Sequence, residues 1–96
     1  MTTLYVSKKN KVEMAKTFFP HSEKVVYVNA SSPHPDNTQY KISLGVEVFG
    51  GGRNEVAKVQ MVYNGNVAGR RSPSYPIGTD DFHRVSLKIQ ELIANR

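Results

Sequence analysis

The chain has 96 residues, enough for one hydrophobic core but not for two, so residues 1–96 are expected to form a single domain. It contains no cysteine, which excludes disulfide frameworks, thiolate zinc sites and a cysteine nucleophile. The net charge of +5 favours an anionic partner, and no apolar run approaches the roughly 18 residues that a membrane-spanning helix needs.

The opening run, MTTLYVSKKNK, places its charges after a short apolar stretch, which is the reverse of a secretory signal. The lack of cysteine also suits a reducing compartment. These two features predict a cytoplasmic location and no membrane partner.

The N-terminal part of the chain predicts a β-α-β unit. Residues 3–7, TLYVS, are rich in β-formers and predict a first strand. Residues 8–20 predict a helix that Pro20 ends, because their apolar side chains recur at helical spacing: Val12, Ala15 and Phe18 or Phe19. Residues 23–30, EKVVYVNA, predict a second strand, and its two apolar faces indicate a central position in the sheet.

The middle of the chain contains the clearest strand pattern. A loop with two prolines, residues 31–38, precedes a run over 40–49 with apolar side chains at every second position: Tyr40, Ile42, Leu44, Val46 and Val48. A flexible glycine turn then leads to a further strand over 55–63. The spacing therefore predicts two neighbouring antiparallel strands.

Asn64-Gly65 predicts a type I′ hairpin turn, because both residues accept positive φ. A short last strand over 66–71 would then pair back in a register that the turn sets, with Lys58 opposite Arg71. Directly opposed like charges are unfavourable, so this pair suggests an anion bound between them. Gly69 would leave the backbone open to such a ligand.

A final amphipathic helix follows. Thr79 is a good N-cap, and Asp80 and Asp81 suit the positive end of a helix dipole. Apolar residues then recur at helical spacing: Phe82, Val85, Ile89, Leu92 and Ile93. The predicted fold is α+β, with the order β-α-β-β-β-β-α and a mostly antiparallel sheet packed against the C-terminal helix.

Residues 70–76, RRSPSYP, combine groups that suit a nucleotide: arginines for phosphate, hydroxyls for polar edges and a tyrosine ring for a base. The first hypothesis is a non-enzymatic module that binds a nucleotide or nucleic acid through Lys58, Arg70, Arg71, Ser72, Ser74 and Tyr75. The alternative is a rigid connector that its two prolines stiffen. Arg70 would then either extend its guanidinium to solvent at the sheet edge or form an ion pair with Asp80 or Asp81.

A second hypothesis is a protein-interaction or inhibitor module. Four apolar side chains fall on the more polar face of the hairpin strands: Phe49, Val56, Val62 and Val67. If that face is uncovered, they form an apolar patch that marks association, which predicts a homodimer or higher homo-oligomer. An unpaired edge strand could serve the same purpose.

The three histidines support catalysis only weakly. His21, His34 and His83 lack the i, i+4 spacing of a helical metal pair, and no residue set suggests a metal or another cofactor. A small ribonuclease that uses His34 or His83 with Arg71 is the least favoured of the three hypotheses.

Overall fold

The computed structural model describes residues 17–96. They form a four-stranded antiparallel sheet and one C-terminal helix, which confirms the α+β class. The elements are β1 (Phe18–Asn29), β2 (Thr38–Phe49), β3 (Gly52–Tyr63), β4 (Asn66–Ala68) and α1 (Asp81–Ala94). The strands lie side by side in chain order. The predicted strand over 3–7 and most of the predicted helix over 8–20 lie outside the described residues.

The β2–β3 hairpin forms the centre of the sheet. Its register is unbroken from Thr38 opposite Tyr63 to Phe49 opposite Gly52. The glycine turn is shorter than predicted, because Gly50 and Gly51 alone make it, with φ of 60° and 77°. Positive φ at both positions is what a two-residue hairpin turn requires, and glycine adopts it without a steric penalty.

One face of the sheet carries the core. Alternate residues of β2 and β3 point to this face, where α1 contacts β1 and β2. The buried cluster consists of Val28, Tyr40, Ile42, Met61 and Val85. Each such apolar side chain contributes about 1.5–3 kcal/mol when it is fully buried. We call this the helix face; the other side of the sheet, on which α1 does not pack but where Ser43 and Val62 are still buried, is called the open face.

Two predictions about β1 are wrong. Phe18 to Pro20 belong to the strand and not to a helix, because Phe18 pairs with Glu47 and Phe19 with Val46 of β2. Among the described strands β1 lies at the edge of the sheet and not in its centre. Its register shifts after Pro20, which lacks an N–H to donate and suits an edge strand beside a bulge.

The final helix begins one residue later than an N-cap at Thr79 predicts, because Asp81 is its first residue. Asp80 occupies the N-cap position and makes no side-chain cap hydrogen bond. The Thr79 hydroxyl instead donates to the Pro76 carbonyl at 2.7 Å and accepts from the Asp81 N–H at 3.4 Å. Of the predicted apolar face, Val85 is buried in the core and Ile89 and Leu92 pack against it, whereas Phe82 and Ile93 are 64% and 42% exposed. Within residues 17–96, no helix is long and apolar enough to cross a bilayer.

Candidate ligand groove

The Asn64-Gly65 turn has the predicted geometry, with φ of 50° and 82°. The predicted register is also confirmed where the strands pair, from Tyr63 opposite Asn66 to Met61 opposite Ala68. However, β4 ends at Ala68, and the Arg71 N–H turns back to the Ala68 carbonyl at 3.1 Å. The sheet therefore stops before it could bring Arg71 opposite Lys58, and that predicted pair is wrong.

Lys58 and Arg71 each have a partner elsewhere. The Lys58 ammonium forms an ion pair with Glu47 on the open face and lies 5.1 Å from the centre of the Phe18 ring. The Arg71 guanidinium lies 5.7 Å from the centre of the Tyr63 ring. Tyr63 is five residues from Lys58 along β3, which is about 16 Å. No repulsion between these cations needs an anion to relieve it.

The proposed ion pair of Arg70 is also wrong. Arg84 binds both acidic residues at the helix start, Asp80 at 3.0 Å and Asp81 at 2.7 Å. In the part of the chain that the structure describes, neither Arg70 nor Arg71 has a carboxylate within 4.0 Å. Arg71 is therefore an exposed cation that no acidic side chain among residues 17–96 neutralises.

Arg71 lies at a groove of about 510 Å³ between the 31–37 loop and the segment that follows β4. The groove is lined by Pro33, His34, Pro35, Tyr63, Arg71, Ser74, Tyr75 and Pro76. Three of the predicted ligand-binding residues thus share one site: Arg71, Ser74 and Tyr75. Lys58, Arg70 and Ser72 are not part of its lining. No lining residue is acidic, so the charge of the groove is positive.

Hydrogen bonds attach the segment after β4 to the rest of the fold. The Ser74 carbonyl oxygen lies 2.9 Å from His34 Nε2 and 2.8 Å from the Tyr40 hydroxyl, whose single hydrogen is shared between this carbonyl and the Asp81 carboxylate. Because a carbonyl only accepts, His34 Nε2 must carry a hydrogen. Tyr75 stacks on Tyr40 with ring centres 5.1 Å apart and meets Phe82 edge to face at 5.3 Å. These contacts fix one wall of the groove.

The buried carboxylate of Asp81 supports this wall of the groove through Tyr40. Asp81 is fully buried and accepts hydrogen bonds from the Ser31 N–H at 2.9 Å, the Ser31 hydroxyl at 2.5 Å and the Tyr40 hydroxyl at 2.8 Å. Burial acts to raise the pKa of Asp81, but these hydrogen bonds and the charge of Arg84 outweigh it and hold the pKa well below its usual range. Burial, and then the bond to Asp81, raise the pKa of Tyr40. The pair is therefore a carboxylate and a neutral phenol at neutral pH.

Sequence reasoning assigned His34 to a turn and Tyr63 to a strand face, and placed neither in the ligand site. The place of both residues in the site could have been inferred from the strand pairing, because the 31–37 loop leads into β2 at Thr38, which lies opposite Tyr63. This end of the β2–β3 hairpin therefore brings the 31–37 loop, the Tyr63 ring and Arg71 together. Of the other histidines, His21 bonds Glu55 at 3.1 Å, and His83 lies exposed on α1.

The four predicted interface residues share the open face, but they do not form one patch. Val62 is only 2% exposed, and Val56 is half-buried. Phe49 and Val67 are 54% and 45% exposed, but they lie beside opposite ends of β3, about 33 Å apart along the strand. The prediction of a continuous exposed apolar patch is therefore wrong, because Val62 is buried and the two exposed residues lie far apart.

Over residues 17–96, no group of three metal-ligating side chains is close enough to hold a metal ion.

The chain matches no protein-family model, no curated protein and no solved structure. Functional inference for this protein therefore comes from the geometry of the groove.

Proposed function

We propose that this protein is a non-enzymatic binding module for a phosphate-bearing ligand, a nucleotide or a single-stranded nucleic acid, and that the groove at Arg71 is its binding site. One observation carries the proposal. The Arg71 guanidinium, which has no carboxylate partner in the described chain, lies over the Tyr63 ring in an open groove that Tyr75 also lines and that has no acidic lining residue.

The charge of Arg71 supplies the phosphate-binding group. Its fork of N–H donors matches the oxygens of a phosphate, and charge-assisted hydrogen bonds of this kind are stronger than neutral ones. The Tyr63 ring under the guanidinium supports the side chain without competing for those donors. Ser74 and His34 add polar groups to the same groove.

The tyrosines supply surface for a base. Stacking of a base on an aromatic side chain contributes about 1–3 kcal/mol and does not depend on the base, which suits a site without a pattern of base-reading groups. Tyr63 and Tyr75 are both half-buried, so little side-chain freedom is lost when a ligand stacks on them.

Binding of a fluorescent oligothymidylate and of ATP, measured by anisotropy at low salt, tests this proposal. We expect Arg71→Ala to weaken binding at least tenfold and to lower the slope of log affinity against log salt by about one. Arg53→Ala is the matched control, because Arg53 is an exposed arginine about 33 Å away along β3. Equal losses in both variants would show binding to net charge alone, and no binding by the wild type would overturn the proposal.

The least favoured alternative, a ribonuclease, gains one specific observation, since His34 and Arg71 line the same groove. A base and a phosphate-binding cation are two of the groups that such a reaction uses. The test is incubation with labelled RNA. Cleavage that His34→Ala abolishes while binding persists would replace the binding module by an enzyme.

An interaction or inhibitor module remains the second proposal, now with Phe49 as its most exposed apolar residue on the open face. Phe49→Glu would abolish such a function and leave nucleotide binding unchanged, whereas Arg71→Glu would do the reverse. Self-association is part of this proposal, and the open edge of β3 suggests a different route to it.

A further inference from the structure

Among the strands that the structure describes, the outer edge of β3 is unpaired along most of its length. β4 pairs only with Met61, Val62 and Tyr63, whereas β3 begins at Gly52. No other described strand lies beside residues 52–60 on that side. A strand edge of this kind presents backbone donors and acceptors that a further strand can pair with.

The hairpin geometry shows which groups face outward. Gly52 flanks the two-residue turn and so exchanges hydrogen bonds with Phe49, and even-numbered residues of β3 continue this pattern toward β2. In agreement, the Asn64 N–H donates to the Asn37 carbonyl at 3.0 Å. The odd-numbered residues therefore direct their N–H and C=O groups to the open edge below β4: Arg53, Glu55, Ala57 and Val59.

This edge lacks two of the usual forms of protection, a bulge and a proline. β3 pairs with β2 without a bulge and contains no proline, whereas β1, at the opposite edge of the described sheet, contains Pro20 and a register shift. Its side chains include Arg53, Glu55 and Lys58, so charge is its main defence against arbitrary pairing.

We propose that the edge of β3 pairs antiparallel with the β3 edge of a second copy of this chain, about a twofold axis at Val56. In this register Arg53 lies opposite Val59 of the partner subunit, and Glu55 lies opposite Ala57 of the partner subunit. By symmetry all four outward-facing residues of each copy are then paired. The two sheets join into one, with both helices on the same side.

Charge and length select this register. In a continuous sheet the two faces must match, so the axis passes through a residue and not between two. An axis at Glu55 or at Lys58 would oppose identical charges. An axis at Ala57 would place Arg53 opposite the partner's Met61, whose backbone already pairs with Ala68. Only the axis at Val56 uses the whole open edge without either conflict.

The helix face beside this edge is also suited to a second copy. A cleft of about 190 Å³ lies between β3 and the end of α1, and its lining combines apolar Leu44, Val56, Ala57 and Ile93 with charged Glu55 and Arg96. Ala57 is exposed and Ile93 is 42% exposed. A twofold axis at Val56 brings the same cleft of the partner alongside, so each copy shields the apolar lining of the other.

Sedimentation equilibrium of the full chain tests the association. We expect twice the monomer mass of 10.7 kDa for the wild type and for Ala57→Val, and the monomer mass for Ala57→Pro. Proline at position 57 removes an outward N–H and no bond to β2, so a folded monomer is expected. A wild-type monomer at high micromolar concentration would overturn the proposal. This holds whether the edge of β3 is exposed to solvent or paired with another part of the same chain.

Cross-linking tests the register and does not depend on a proline variant. Because the chain has no cysteine, Val56→Cys introduces a single thiol at the axis, where Cα atoms of a non-hydrogen-bonded pair lie about 4.5 Å apart, within disulfide range. Lys58→Cys is the matched control, since the two thiols would then lie about 13 Å apart. We expect rapid oxidation to a disulfide dimer for Val56→Cys alone. Faster oxidation of Lys58→Cys, or equal rates, would contradict the register.

Discussion

At the scale of single residues, Asp80 and Asp81 are adjacent carboxylates with different roles. The Asp80 side chain is 67% exposed, and Arg84 is its only ion-pair partner in the described chain. Asp81 is fully buried, accepts hydrogen bonds from Ser31 and Tyr40, and forms an ion pair with Arg84. An exposed pair contributes little, but removal of one partner from a buried, hydrogen-bonded ion pair leaves an uncompensated polar group.

We therefore expect Asp81→Asn to lower the free energy of unfolding by about 3 kcal/mol at neutral pH, and Asp80→Asn by less than about 1 kcal/mol. Urea denaturation followed by circular dichroism measures both. Similar losses in the two variants would mean that Asp81 does not hold the network together.

The same comparison has a pH dependence. The folded-state pKa of Asp81 lies below the unfolded-state value, so its contribution is complete above the ordinary carboxyl pKa of about 3.9 and is lost as the pH falls toward the folded-state value. The stability difference between wild type and Asp81→Asn should therefore narrow as the pH is lowered from about 6 to about 3. A constant difference would assign the loss to packing alone.

The sequence allowed the local geometry of the Asn64-Gly65 turn to be predicted, because both residues accept positive φ and the turn fixes the first pairs after it. It did not allow the end of β4 to be predicted. The chain leaves the sheet after Ala68, and the Arg71 N–H bonds back to it. The alternation of apolar and polar residues does not show that β4 ends three residues before Arg71. The Lys58–Arg71 pair was therefore inferred from a strand that does not continue.

At the scale of elements, β1 is the element whose structure differs most from the predicted one, because its strand conformation depends on tertiary contact with β2. Helical spacing included Phe18 and Phe19, but both lie in register with β2. Their placement coincides with a close approach of two backbones. A Cβ on Gly45 would lie 2.5 Å from the Phe19 carbonyl oxygen and 2.7 Å from Pro20 Cα.

This approach makes Gly45 the least replaceable glycine within a strand of the described sheet. We expect Gly45→Ala to lower stability by about 1–3 kcal/mol, because backbone atoms must move to make room for the methyl group. Gly52→Ala is the control, since a Cβ there meets nothing within 4 Å, and it should be neutral or slightly stabilising. Thermal denaturation of the two variants gives the comparison, and an unaffected Gly45→Ala would show that β1 can shift freely.

At the scale of the whole molecule, the groove and the open edge occupy different stretches of β3. Tyr63 lines the groove, and Val56 marks the proposed axis seven residues away, about 23 Å along the strand. A dimer about that axis would place two positively charged grooves about 45 Å apart, at opposite ends of one continuous sheet. The two proposals are thus independent in their residues but combine in one assembly.

Such a dimer makes affinity depend on the length of the ligand. An oligonucleotide of about five residues can occupy only one groove, whereas one of about 30 can reach both, and the second contact then benefits from a high effective concentration. We expect Ala57→Pro to weaken binding of the long oligonucleotide more than about tenfold and to leave binding of the short one unchanged. Arg71→Ala should weaken both and leave the sedimentation mass unchanged. If Ala57→Pro affected both lengths equally, the edge of β3 would belong to the binding site itself, and the two grooves would not act together through a dimer.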